Sequence, residues 1–240
     1  MPSLNRRIIN RGRKQPASVF TGKGYMGKIF AIGDIHGCVS KLDQLMGKLQ
    51  MNAKEDTLLF IGDYIDRGPD PKGVVDCILE IRKSMDHVVC LRGNHEQMFL
   101  NYYCEHRDEE LFMHNGGLIT LISYGIVKEK RAENMRVPEN HMQFFSTLQP
   151  FYETDQYIFV HAGLRPGIPL EKQSMDDLLW IRQEFFGSRY DFGKTVIFGH
   201  TPISYGLPYM EKNKIGIDTG AVYGGRLTCL ELPEIIIHQV

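Results

Sequence analysis

Five times along this chain, a short apolar run rich in β-branched residues stops at a glycine and a side chain able to bind metal. KIFAIGD ends at Asp34, TLLFIGD at Asp63 and HVVCLRGNH at Asn94 and His95, while YIFVHAG runs through His161 and TVIFGHT through His200. Runs of this length and composition predict strands. In an open α/β sheet the ligand crevice lies beyond the carboxyl ends of the strands. Five such ends therefore predict one shared site, although Asp34 and His200 stand 166 residues apart.

Between the early strands, Leu42, Leu45, Met46 and Leu49 have helical spacing, as do Val74, Val75, Ile78 and Ile81 after Pro71. Strand, helix, strand predicts an α/β class with a parallel or mixed sheet. Residues 96 to 150 read as mostly helical, interrupted by a basic stretch from Lys128 to Arg136, and are expected to cap the crevice. KIGIDTG, GGRLTCLELP and EIIIHQV read as further strands. They are expected to build a second sheet against the first, with Gly224 and Gly225 as a hairpin turn.

The chain has 240 residues, 42% of them hydrophobic, which suits one domain with a sizeable core. Residues 1 to 28 carry seven basic side chains and no acidic one, leaving 21 basic against 29 acidic residues in the remainder. That asymmetry predicts a flexible, solvated tail over 1–27 and a folded domain over 28–240. Solvation accounts for such a tail, so nucleic acid is not the expected partner. Five cysteines, odd in number and without a CxxC pair, point to reduced thiols and a cytoplasmic setting. No apolar run approaches the roughly 18 residues of a membrane span, and the N-terminus lacks the apolar core of a secretory signal, so no membrane partner is expected. GKGYMGK at 22–28 has the glycines and lysine of a phosphate-binding loop, but Ile29 follows where that loop needs Ser or Thr and a helix.

Asp34 and His36 lie two apart in GDIHG; in an extended segment both would point one way and grip one ion. A carboxylate with an imidazole suits Mn, Fe or Zn better than Ca or Mg. GDYIDRG adds Asp63, Asp66 and Arg67, and GNHE adds Asn94 and His95. Asp34, His36, Asp63, Asn94, His161 and His200 together offer two carboxylates, three imidazoles and an amide. Such a set fills two adjacent metal positions if one carboxylate bridges, and Asp63, central in the series, is the expected bridge. No cysteine has an arginine six residues later and no DxD occurs, so neither a thiolate nor an aspartyl-phosphate route is indicated.

Jointly, GDIHG, GDYIDRG, RGNHE, HAG, LLWIRQEF, GHTP and IDTGAVYGG resemble the phosphoprotein phosphatase (PPP) family of calcineurin-like metallophosphoesterases, in particular its short prokaryotic and phage-type serine/threonine phosphatases. The resemblance covers Lys28 to Glu234. It implies a sandwich of two mixed β-sheets flanked by helices. It also implies one ion on Asp34, His36 and Asp63 and a second on Asp63, Asn94, His161 and His200, with Mn2+ expected first and Fe or Zn as other choices. A hydroxide shared by the two ions would attack phosphorus. His95 would protonate the leaving alkoxide, and Asp66 would hold the imidazole and favour its charged form. Arg67, Arg182 and Asn94 would bind the phosphoryl oxygens of a phosphorylated protein, peptide or small phosphoester. Arg92 is left without an assigned role, and Cys38 reads as a small buried neighbour of the first ligands. Two other functions fit the same motifs: hydrolysis of dinucleoside polyphosphates or other nucleotides, and a catalytically silent scaffold that binds phosphoproteins. A scaffold should have lost a ligand or the proton donor, yet all these positions are filled.

Overall fold

A computed structural model describes residues 27–126, 136–202 and 206–240. The basic segment up to residue 26, which includes most of GKGYMGK, and the basic stretch from Lys128 to residue 135 lie outside the described residues.

The first half of the chain alternates strands and helices: β1 (Ile29–Ile32), α1 (Val39–Met46), β2 (Thr57–Phe60), α2 (Pro71–Ser84) and β3 (His87–Cys90). Four helices follow, α3 (Asn94–Glu105), α4 (Glu109–His114), α5 (Gly117–Ser123) and α6 (Glu139–Ser146). The second half contains β4 (Phe151–Glu153), β5 (Tyr157–Val160), α7 (Met175–Trp180), α8 (Gln183–Phe186), β6 (Thr195–Phe198), β7 (Tyr209–Glu211), β8 (Lys214–Gly216), β9 (Thr228–Leu232) and β10 (Ile236–Gln239). α2 starts where the sequence says it should: Pro71 supplies the first helical residue, and the Asp70 carboxylate accepts from Gly73 N at 2.8 Å.

The strands form two five-stranded mixed sheets, ordered β10-β9-β1-β2-β3 and β4-β5-β6-β8-β7. β1, β2 and β3 run parallel, as do β5, β6 and β8, and every other pairing is antiparallel. This assignment corrects the expected role of the late strands. β9 and β10 complete the first sheet, β9 pairing with β1 across Ile29–Leu232 and Ile32–Cys229 and β10 pairing with β9, and of these late segments only KIGIDTG, as β8, joins the second. Gly224–Gly225 is consequently not a hairpin turn. It follows a 3-10 turn at Ala221–Tyr223 where the chain crosses from one sheet to the other. Nothing in the sequence of three successive strands distinguishes pairing among themselves from insertion beside a strand 200 residues earlier.

Side-chain alternation explains the uniformly apolar runs. In β1 and β2, Phe30, Ile32, Leu58 and Phe60 face α1, α2 and the α3–α6 helices, while Ile29, Ala31, Leu59 and Ile61 face the other sheet. In β5 and β6, Ile158, Val160, Val196 and Phe198 pack under α7 and α8, and Phe159 and Ile197 meet the first sheet. Each central strand is thus covered twice. No described helix is long and apolar enough to cross a membrane.

The α3–α6 helices share an aromatic cluster in which Phe99 lies 4.9 Å from Phe145, 5.3 Å from Tyr103 and 5.9 Å from Phe112, centre to centre. Because α3 begins at Asn94, this cluster also holds one wall of the crevice in place. Phe99→Ala is expected to lower unfolding free energy by about 3–5 kcal/mol in urea titration. A loss below about 1 kcal/mol would mean that the helices are held by something other than this cluster.

Candidate metal centre

The carboxyl ends of the parallel strands in both sheets open at one edge of the sandwich, and the turns beyond them interlock. Ile35 N and His36 N donate to Asp63 O at 3.1 and 2.9 Å, and Gly199 N donates to His161 O at 2.8 Å. Asp34, His36, Asp63, Asp66, Asn94, His95, His161 and His200 are all buried, and all gather at this edge.

Asp63 is the hub. Its Oδ1 lies 3.4 Å from His161 Nε2, and its Oδ2 lies 3.4 Å from His36 Nε2 and 3.9 Å from His95 Nε2. Asn94 Oδ1 stands 2.9 Å from His161 Nε2 and 3.0 Å from His200 Nδ1. His36 Nδ1 faces Ile65 O at 2.8 Å and His161 Nδ1 faces Ile61 O at 3.3 Å. A carbonyl accepts only, so both rings carry the proton on Nδ1 and turn the lone pair of Nε2 into the crevice. Lone pairs from Nε2 of His161, Oδ1 of Asn94 and Oδ1 of Asp63 therefore point at one another, an arrangement a cation reconciles. Two donors at right angles on one ion, with bonds of about 2.1 Å, stand about 3 Å apart. The observed 2.9 and 3.0 Å match that spacing. Asp63, His161 and His200 form one group with ligand atoms within 4.8 Å of each other, and His36, Asp63 and His95 form another, with Asp63 common to both.

Asp34 is placed differently from expectation. GDIHG is not extended throughout, because His36 adopts φ 44° in a turn. Asp34 Oδ2 accepts from His200 N at 2.9 Å. Its Oδ1 has no partner and lies where a β-carbon on Gly199 would come within 2.1 Å. Gly93 is under the same restriction, since a β-carbon there would stand 2.1 Å from Asp63 Oδ1. His200 Nε2 and His95 Nε2 are also buried without a partner. Burial, then the charges of Asp218 and Asp63, push the Asp34 carboxyl well above its usual range, and burial followed by Glu96 does so for Asp63. The donor set, its orphaned atoms and its unpaired buried carboxylates all fit divalent cations.

His95 Nδ1 lies 2.6 Å from Asp66 Oδ2, and Thr120 Oγ1 donates to Asp66 Oδ1 at 2.5 Å. Burial raises Asp66 to about 7 and pushes His95 well below its usual range.

Arg67 Nη1 donates to His36 Nε2 at 2.8 Å, and its guanidinium lies 5.7 Å from the Tyr223 ring centre. Arg182, at the start of α8, donates from Nη1 to Thr201 Oγ1 at 2.9 Å. Both arginines line a cavity of about 250 Å³ with Asp63, Asn94, His95, Asn115, Trp180, His200, Asp218 and Tyr223. Arg92, by contrast, donates to Gln97 Oε1 at 3.0 Å and bonds no site carboxylate. Cys38 is buried beside the turn, and burial pushes its thiol up. A larger hollow of about 920 Å³ lies at the opposite end of the second sheet, among Tyr157, Phe186, Arg189 and Lys194, far from these groups.

Two residues escape sequence reasoning. Asp218 ends KIGIDTG just beyond β8 and enters the cavity as a sixth strand-end group; its signal was the same apolar-run-then-carboxylate pattern as Asp34 and Asp63. Glu96 is marked in sequence as part of RGNHE, but its structural role is not. Its Oε2 accepts from Asp63 N and Gly93 N, both at 3.0 Å, and its Oε1 accepts from Tyr64 N at 2.8 Å and Ile65 N at 3.3 Å. One buried carboxylate thus clamps the Asp63 turn to the turn carrying Asn94 and His95.

Residues 27–225 match the family described as calcineurin-like phosphoesterase, and the chain belongs to that family of metal-dependent phosphoesterases. Its members use a dinuclear divalent metal site. The chain is 30% identical over 205 residues to serine/threonine-protein phosphatase 1 of Salmonella typhimurium, covering 83% of this chain and 89% of that one. It is 26% identical over 229 residues to the bis(5'-nucleosyl)-tetraphosphatase PrpE of Oceanobacillus iheyensis, covering 86% and 89%. Among solved structures, a protein assigned as a diadenosine tetraphosphatase superposes with a TM-score of 0.72 at 24% identity, over 92% of this chain and 96% of that one. A yeast protein serine/threonine phosphatase superposes with a TM-score of 0.59 at 18% identity, over 89% and 79%. These two likenesses establish the shared fold.

Glu96→Gln replaces two acceptor lone pairs by an amide that donates, stranding two buried N–H groups. A loss of about 2–5 kcal/mol in unfolding free energy is expected. Looser retention of metal on dialysis should accompany it. Unchanged stability and unchanged metal content would show that the clamp is dispensable.

Proposed function

We propose that this chain is a two-metal phosphomonoesterase of the serine/threonine protein phosphatase type. The observation that carries the proposal is the pairing of His95 with Asp66 at 2.6 Å, with Nε2 left unpartnered in a cavity that Arg67 and Arg182 also line. Asp34, His36, Asp63, Asn94, His161 and His200 would hold the ions, with Mn2+ the first choice. When bound, the two ions supply Lewis acidity and activated solvent.

The chain's own groups do the rest. Arg67 and Arg182 present guanidinium donors to the phosphoryl oxygens, and the Asn94 amide N–H lies on the same wall. This positive environment favours a dianionic monoester. Nε2 of His95 delivers its proton to the departing alkoxide, and Asp66 fixes the ring through Nδ1 so that Nε2 keeps its aim. Trp180, whose ring meets that of His200 edge-on at 6.0 Å, and Tyr223 add aromatic surface to the same cavity. The 30% identity to the Salmonella phosphatase supports this substrate class, and the thiol pattern supports a cytoplasmic setting.

A second reading, hydrolysis of dinucleoside polyphosphates, has a specific observation in its favour. A hollow of about 430 Å³ lined by Met98, Leu111, Met175 and Leu179, with Asn101, Asp108 and Asp176 among its polar groups, shares Trp180 with the catalytic cavity and offers room for part of a leaving group. The tetraphosphatase relative supports it as well.

Two outcomes are expected. His95→Asn should reduce kcat about 10²-fold with metal content unchanged, and a variant at wild-type rate would remove His95 from the reaction. A phosphopeptide, p-nitrophenyl phosphate and diadenosine tetraphosphate, assayed in parallel with Mn2+, should rank with the monoesters first. A preference for the tetraphosphate of more than about tenfold, equivalent to about 1.4 kcal/mol in the barrier, would transfer the assignment to the second reading.

A further inference from the structure

Lys214 is fully buried, and among the described residues no carboxylate lies within ion-pair distance of it. Burial alone would disfavour its charge and lowers its pKa. What holds it is a set of backbone carbonyls: Nζ donates to Phe185 O at 2.7 Å and to Ser188 O at 2.5 Å, and stands 4.8 Å from the Phe185 ring centre. Those carbonyls lie in the last turn of α8 and two residues beyond it, and Phe185 O also accepts from Ser188 N at 3.3 Å.

The other end of the same short helix begins at Arg182. Phe185 N and Phe186 N both donate to Arg182 O at 3.0 Å, so the four-residue helix is one rigid link between the ammonium and the arginine. Four residues are too few to be helical by propensity; such a turn depends on what anchors it.

We infer that Lys214 is a positioning residue for catalysis: by seating the C-terminal turn of α8 it fixes Arg182 at the phosphoryl-binding wall. β8 would then serve the site at both ends, since Asp218 follows it into the cavity. The inference rests on the proposed phosphate-binding role of Arg182.

The test is a double-mutant cycle in the Mn2+-loaded full chain. Lys214→Met, which keeps the length and loses the donors, should lower kcat/KM for p-nitrophenyl phosphate about tenfold and weaken inhibition by inorganic phosphate to a similar degree. In an Arg182→Ala background the same substitution should change both by less than about twofold, because the two residues act through one contact. Circular dichroism and metal content report whether the variant folds. Where Lys214→Met does not fold, Lys214→Leu, which also removes the donors, carries the same cycle. Equal losses in both backgrounds, or a folded Lys214 variant with unchanged kcat/KM, overturn the inference. If Arg182→Ala alone leaves kcat/KM and phosphate inhibition untouched, the phosphate role of Arg182 fails and the inference falls with it.

Discussion

Backbone amides that enter a buried crevice must find acceptors, and here one carboxylate answers for four of them. Glu96 takes the N–H groups of Asp63, Tyr64, Ile65 and Gly93, welding the turn after β2 to the turn that opens α3. Asp63, Asn94 and His95 come from those two turns, so their relative placement is set by Glu96 before any ligand arrives. The cost is concentrated negative charge: burial raises Glu96 to about 7, and its field contributes to the raised pKa of Asp63. A cation between the strand ends relieves both.

Backbone conformation carries a related tension. His36, Asp63, Asp66, Arg67 and His200 all occupy left-handed φ, between 44° and 68°. Each such residue costs on the order of 1 kcal/mol or more, and residues held this way gather at functional sites. Tight left-handed turns let strand ends swing their side chains inward and bring neighbouring turns within hydrogen-bonding reach. Stability is given up locally for a fixed array of donors, and the doubly covered strands beneath supply the rigidity that maintains it.

Most of the site was legible because its chemistry is carried by residue type at strand ends. Apolar runs terminating in Asp, Asn or His announce both the strand and its cargo, and Arg182 could be placed from LLWIRQEF. Asp218 carried the same mark, yet KIGIDTG was read for its strand and not for the carboxylate at its end. The second sheet was misassigned for a different reason. Pairing partners of β9 are settled by packing across the whole sandwich, and Thr228–Leu232 has no local feature that names β1 as its neighbour. Thr120, which donates to Asp66 from α5, is likewise a contact between distant segments that leaves no trace in sequence spacing.

The topology also ties the first ligand turn to a distant part of the chain. β1 lies at the centre of its sheet, flanked by β2 on one side and β9 on the other, although nearly the whole chain separates it from the latter. Without Thr228–Leu232 one edge of β1 would have no strand partner, so Asp34, two residues past that strand, depends for its setting on a distant segment whose Thr228 O accepts from Gly33 N at 3.0 Å.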